Sequence, residues 1–298
     1  MRDSSGRSAP RLVADTRNAT GESPLWCPDS AGLMWTDIPG RQLHHLDPAS
    51  GAVRTWRSDA AVGSLAQAAD GGFVAAVEHG FARLHLGDGE HAGLESIAPV
   101  LAGDSALRFN DGRCDRQGRF WASSMAWEPD SRHPAGTLWR LDGGEARAML
   151  GGLVIGNGLA WSPDGRTMYL SESDGANPGV RAFDFDPDEG VPHDGRSFID
   201  FRGSGGRPDG AAIDTDGCYW IAVADAGLVQ RYTPAGVLDL SIALPISQPT
   251  MPAFGGSDLR TLYVASLRTP DTPPHLPDGG VFAVDVAHQG LPEPRYQP

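Results

Sequence analysis

The 298-residue sequence predicts an all-β protein, a six-bladed β-propeller with a metal site in its central channel, on three observations. Short alternating apolar runs bounded by turn residues recur along the chain, and no long segment keeps a helical period. The turns that close the first strand of each run form a repeat: "CPDSAGLMW", "AADGGFVAA", "DRQGRFWAS", "SPDGRTMYL", "DTDGCYWIA" and "GSDLRTLYV". Side chains carrying oxygen acceptors stand at one fixed position in most of these units.

Anchored on Asp29, Asp70, Gln117, Asp164, Asp216 and Asp258, the units are spaced by 41, 47, 47, 52 and 42 residues. A strand–turn–strand unit of that period is the mark of propeller blades. The 39 Gly and 24 Pro supply turns rather than long helices. Six blades make one domain despite the length, so residues 11–298 are expected as a single domain behind a disordered tail of residues 1–10. The segment "RLVADTRNAT" is expected to be the outermost strand of the last blade and to close the ring.

Counting back seven residues from each anchor gives Glu22, Gly63, Asn110, Asn157, Asp209 and Met251. Inner strands of a propeller run beside the channel, so these positions ring its mouth. Four of the six carry a side-chain oxygen acceptor, although the whole chain holds only 38 Asp and Glu and four Asn, which is well beyond chance. Asn157, set between Gly156 and Gly158, is therefore read as pointing into a ring of oxygen donors. Glu22, Asn157 and Asp209 offer two carboxylates and an amide oxygen, which suit Ca²⁺, Mg²⁺ or Mn²⁺. Neither His nor Cys occupies a ring position, which disfavours a nitrogen-and-sulfur zinc site. The plainer alternative, polar groups that merely hydrate a channel, leaves two converging acids without a cation.

Arg108 lies two residues before Asn110 and is placed to hold a substrate hydroxyl or an oxyanion; an ion pair with Asp111 or another rim acid is the alternative. If each inner strand starts at the mouth, every second connection returns there. Two of these, residues 127–135 and 268–278, are long enough to act as lids. Glu128, His133 and His275 would then border the pocket.

Other chemistries fall away. With 24 Arg and no Lys, Schiff-base catalysis and the phosphate-binding P-loop are excluded. The chain contains no G-x-S-x-G, H-E-x-x-H or G-x-G-x-x-G motif, and "DFDPDEG" lacks the acid and glycine positions of a calcium loop, reading instead as a hairpin turn. Cys27, Cys114 and Cys218, odd in number and far apart, read as buried free thiols of a reducing compartment. The formal charge of −14 disfavours nucleic acid and anionic membrane as partners. No apolar run is long enough to span a membrane, and the first residues lack a secretory signal, so a cytoplasmic protein is expected.

The stretches "GESPLW", "RFNDGRCDRQGRFWASSM", "NGLAWSPDGRTMYLSES", "PDGAAIDTDGCYW" and "MPAFGGSDLRTLYVASL", in this order, resemble the SMP-30/gluconolactonase/LRE family of regucalcin-type sugar lactonases, over roughly residues 20–292. The resemblance implies a six-bladed propeller with one divalent ion (Ca²⁺, Mn²⁺, Mg²⁺, Zn²⁺ or Fe²⁺) and hydrolysis of a sugar-acid lactone. It implies that Glu22, Asn157 and Asp209 bind the ion, that Arg108, Asn110 and Glu128 contact substrate, and that Asp209 doubles as the base. Ser23 departs from a common glycine, and Ser171-Glu172-Ser173 and Ala122-Ser123-Ser124 depart from the usual family stretches. The expected protein is a monomeric lactonase whose partner is a small sugar lactone. Hydrolysis of aryl lactones or phosphotriesters on the same site, and a propeller that binds metal or ligand without turnover, are the alternatives.

Overall fold

The computed structural model describes residues 8–130, 134–174 and 178–298. His133 lies outside the described residues, as do residues 1–7 of the expected tail. Ser8 is tied down instead: its N–H donates to the Asp285 carbonyl at 3.0 Å, and its hydroxyl accepts the Asp285 N–H at 2.8 Å.

Every strand belongs to one of six four-stranded antiparallel sheets, and the described residues contain no α-helix. The inner strands are Gly21–Cys27, Val62–Gln67, Leu107–Cys114, Gly156–Trp161, Arg207–Ile213 and Pro249–Gly255. Each packs beside the inner strands of the two neighbouring blades, so the six form a closed ring. The sixth blade is completed by the strand Arg11–Ala14, which pairs with Val281–Asp285 as the sequence predicted. The fold class expected from the repeat is thus the fold observed.

Burial explains the strand composition. Second strands such as Gly32–Asp37 and Tyr219–Ala224 are buried along their whole length, sandwiched between adjacent blades, and the latter reads as a continuous apolar run. The outermost strands Ala52–Arg57 and Leu238–Ala243 are largely exposed, each burying chiefly one residue, Trp56 and Ile242. Trp35, Trp121, Trp161 and Trp220 are at most 1% exposed and fill the spaces between blades. Burying each such ring contributes on the order of 3 kcal/mol or more.

In two of the six units a buried acid two residues before the anchor fixes the turn. In blade 3 the Asp115 carboxylate accepts the Gln117 and Arg119 N–H groups at 3.0 Å each, Trp121 Nε1 at 2.9 Å and Arg119 Nε at 2.6 Å. In blade 5 Asp214 does the same with Asp216 N, Cys218 N, Trp220 Nε1 and Arg231 Nε. Both carboxylates are fully buried. A buried charge is tolerated there because backbone and indole donors and an arginine saturate it.

One segment was not foreseen. Residues 287–298 cross the face opposite the mouth. Thr215 N–H donates to the Gln289 carbonyl, Gly290 N–H to Leu259, Tyr296 N–H to Gln67 and Gln297 N–H to Gly118, which ties blades 5, 6, 2 and 3 together. Arg295 reaches Asp29 of blade 1 at 2.6 Å, and Tyr296, 1% exposed, packs among Cys114 and Phe120. Glu293 pairs with Arg113 at 2.8 Å beneath the inner strands.

The three cysteines are buried and unpaired. Burial pushes Cys27 up to about 12 and Cys218 up to about 11, which keeps both as inert thiols. The "DFDPDEG" stretch is a hairpin turn in which Asp186 accepts the N–H groups of Asp188 and Glu189. No helix among the described residues is long and apolar enough to cross a membrane.

Candidate active site

Each inner strand carries a β-bulge at its ring position. The register against the second strand shifts between Glu22 and Leu25, Val62 and Ser64, Phe109 and Gly112, Asn157 and Ala160, Pro208 and Ala211, and Pro249 and Met251. A bulge re-aims one or two side chains out of the sheet's alternation, and here it turns them toward the channel. The Gly-Asn-Gly stretch now has its reason. Gly158 holds φ at 58°, and a Cβ there would collide with the Tyr219 hydroxyl and Ser171 Oγ. A Cβ on Gly156 would lie 2.9 Å from Ser123 Cβ.

The ring residues are buried: Glu22 is 3% exposed, Asn110 5%, Asn157 4% and Asp209 9%. Gly63 and Met251 complete the ring without donors, as the spacing required. A chain of hydrogen bonds runs along the mouth. Arg108 Nη1 donates to Asn110 Oδ1 at 2.8 Å, Asn110 Nδ2 to Asn157 Oδ1 at 2.7 Å, and Asn157 Nδ2 to Ser173 Oγ at 2.7 Å. Arg108 also lies 5.1 Å from the Trp127 ring centroid. The ion pair with Asp111 considered above does not form: Asp111 Oδ2 accepts the Leu159 N–H at 3.0 Å, and Arg108 takes Asn110 instead.

The ring gathers buried acids that destabilise one another's charged forms, a field that favours a cation. Burial raises the Glu22 carboxyl well above its ordinary value, and the charges of Asp209 and Asp111 raise it further; the Ser23 N–H and Arg108 oppose them. Asp209 is pushed up to about 8 chiefly by burial, with Arg207 pulling it down and Asp111 pushing it up. Burial also raises Asp111. Arg108 is lowered to about 10 by burial, against the attraction of Glu22 and Asp209.

The residues fit a divalent ion. Asp209 Oδ1 and Asp111 Oδ1 are buried and have no hydrogen-bond partner among the described residues. Such oxygens are costly unless a cation or water meets them. The donors are carboxylate and amide oxygens, the set that hard ions prefer. Two other acidic groups gather a histidine, Asp184 with His193 and Asp194, and Asp214 with Asp216 and His288. Arginines already serve these: Arg196 lies 2.6 Å from Asp184, and Arg231 bridges Asp214 and Asp216 at 2.7 and 2.8 Å.

The match to the family described as the SMP-30/Gluconolactonase/LRE-like region spans residues 20–268. The chain belongs to this family. It is 41% identical over 292 residues to the 6-deoxy-6-sulfogluconolactonase of Pseudomonas putida, covering 96% of this chain and 98% of that one. It is 33% identical over 286 residues to the regucalcin of Oryctolagus cuniculus, covering 93% and 94%. Among solved structures, the calcium-binding protein regucalcin from Agrobacterium tumefaciens matches with a TM-score of 0.90 at 28% identity, covering 97% of this chain and 98% of that one.

Within this SMP-30-like propeller, five of the six sequence-derived site residues stand together: Glu22, Arg108, Asn110, Asn157 and Asp209. Glu128 does not join them. It is exposed in the connection after the second strand of blade 3, and no hydrogen bond links it to the ring among the described residues. His275 is likewise exposed on its loop. Four residues of the site escaped the sequence reading as site residues. Asp111 follows Asn110 inside the bulge. Arg207 stands two residues before Asp209, the offset of Arg108 from Asn110, and pairs with Asp225 at 2.6 Å. Ser171 and Ser173 hold the strand that bears Asp209, donating to the carbonyls of Asp209 at 3.1 Å and Pro208 at 2.6 Å. Glu172, facing the other way, caps the N–H groups of Val154 and Ile155. The Ser-Glu-Ser departure is therefore scaffolding of blades 4 and 5.

Proposed function

We propose that this protein is a metal-dependent lactonase that opens a sugar-acid lactone to the free aldonic acid. The observation that carries the reading is the buried oxygen ring of Glu22, Asn157 and Asp209 with Arg108 beside it, in a chain 41% identical to a sugar lactonase. Glu22, Asn157 and Asp209 hold the ion, and Ca²⁺ is the first candidate because a regucalcin relative is described as calcium-binding. When bound, the ion supplies the positive charge that keeps Glu22 and Asp209 ionised and draws electrons from the ester carbonyl.

The chain's own groups do the rest. Asp209 accepts the proton of the attacking water as its oxygen bonds to the carbonyl carbon. Arg108, whose Nη1 already holds Asn110, donates from the outer edge of its guanidinium to the oxyanion that develops. The ring C–O bond then breaks, and the leaving alkoxide takes the proton from Asp209, giving one hydroxy acid from one lactone and one water. Asn110 orients the sugar hydroxyls at the ring, and Glu128, outside the ring, meets the part of the sugar that projects beyond the mouth. A cytoplasmic monomer acting on a small molecule completes the reading.

A pH-stat assay over a panel of sugar lactones, including one with an anionic group at C6, tests this with and without chelator. Hydrolysis of one or more sugar lactones that stops on chelation and returns with Ca²⁺, Mn²⁺ or Mg²⁺ is expected. Turnover confined to aryl lactones or phosphotriesters, no turnover at all, or full activity in metal-free protein would overturn it.

A further inference from the structure

The hydrogen-bonded chain along the mouth has a direction, and both of its ends fix it. Arg108 can only donate, and the Pro208 carbonyl can only accept. Between them stand two amides and one hydroxyl, each of which could in isolation point either way. Arg108 Nη1 donates to Asn110 Oδ1 at 2.8 Å, so Asn110 must present Nδ2 to Asn157. At the other end Ser173 Oγ donates its single proton to Pro208 at 2.6 Å, so toward Asn157 it can only accept. Asn157 Nδ2 meets that acceptor at 2.7 Å, and Asn157 Oδ1 is left toward Asn110, with a second lone pair free for an ion.

The orientation matters because the alternative is attractive when no ion is bound. The neighbouring Glu22 and Asp209 carboxyl groups, protonated or not, each keep an acceptor oxygen that would draw an NH₂ group toward it. A flipped Asn157 would then turn its donor into the ring and lose its oxygen as a ligand. We propose that Ser173 is a positioning residue for the ion site: it holds the Asn157 amide with its oxygen inward and, through Pro208, ties that amide to the strand carrying Asp209. This rests on the ion-binding reading of the ring. Ser173 is 3% exposed, so solvent does not replace it.

Calorimetric titration of chelator-stripped protein with CaCl₂ and with MnCl₂ reads this without substrate. Ser173→Ala is expected to weaken ion binding by roughly 10–100-fold, the usual effect of removing a group that orients a ligand. Ser173→Thr, which keeps the hydroxyl, should recover most of the affinity. In an Asn157→Asp background both side-chain oxygens are equivalent and no flip is possible, so Ser173→Ala should there cost less than about threefold. A purely structural serine would cost the same in both backgrounds, and that equality, or parent-like binding by Ser173→Ala, overturns the proposal. If Ser173→Ala does not fold, Ser173→Cys replaces it and must show the same difference between backgrounds. A parent that binds neither ion contradicts the site itself, an outcome distinct from failure of the Ser173 role.

Discussion

Ser23 occupies the left-handed region at φ 50° beside Glu22, and its hydroxyl accepts the Leu65 N–H of the next blade at 3.1 Å. A non-glycine residue there costs about 1 kcal/mol or more, and the bond to a buried N–H offsets it. Ser23→Ala keeps the strain and orphans Leu65 N, so a loss of about 1–3 kcal/mol is expected in denaturant unfolding. Ser23→Gly relieves the strain while losing the same bond, and should fall between the parent and Ser23→Ala. Ser23→Ala unfolding at the parent midpoint would contradict this account of the serine.

The segment crossing the lower face should act as a structural clasp. Tyr296 is 1% exposed, and Tyr296→Ala is expected to cost about 3–5 kcal/mol, as for other large buried aromatics. A loss under about 1 kcal/mol in urea unfolding would mean that the segment merely rests on the blades.

Ion binding should depend on pH with a definite sign. In the ion-free ring Asp209 is raised to about 8, chiefly by burial. Its folded form thus keeps a proton that the unfolded chain releases near its ordinary value of about 4. The stability it contributes is complete below that value and is lost as pH rises through about 8. An entering cation must displace the same proton. Affinity for Ca²⁺ should therefore rise between pH 6 and 8 and then level, while the melting temperature of ion-free protein falls over that range. Affinity that is flat from pH 6 to 8 would contradict it.

Substrate choice should reside in the connections 127–135 and 268–278. The second is already shaped by its own bonds: Arg268 donates to the carbonyls of Thr272, Pro273 and Leu276. Exchanging both with those of a related lactonase should change the ratios of kcat/KM between lactones and leave ion affinity within about threefold, as expected where the exchanged groups do not touch the ligand set. Fixed ratios with collapsed ion binding would make them structural.

The blades were legible because the turn after each inner strand repeats in the sequence: Asp115 and Asp214 fix it in blades 3 and 5, and Asp164 and Asp258 accept the Arg166 and Arg260 N–H groups in blades 4 and 6. The ring was legible because equivalent positions of six inner strands meet at one mouth. Asp111 was not, since counting one residue per blade cannot see that a bulge turns two toward the channel. Arg207 carried a usable signal, the same offset as Arg108, that went unread. The segment "LPEPRYQP" has no strand period, yet buries Tyr296; its place follows from contacts with distant turns that no local pattern encodes. Ser173 looked like a family departure, and only its two hydrogen bonds give it a role.

The most direct measurement is turnover of Asp209→Asn at saturating metal. Asn157 already offers the ring an amide oxygen, so the variant keeps a coordinating atom while losing the group that accepts a proton. Ion binding should weaken but remain measurable by calorimetry, and the lactone-opening rate should fall by roughly 10²–10⁴, the usual contribution of a general base. A variant as fast as the parent under those conditions would show that Asp209 is a ligand only, and would contradict the base assigned here.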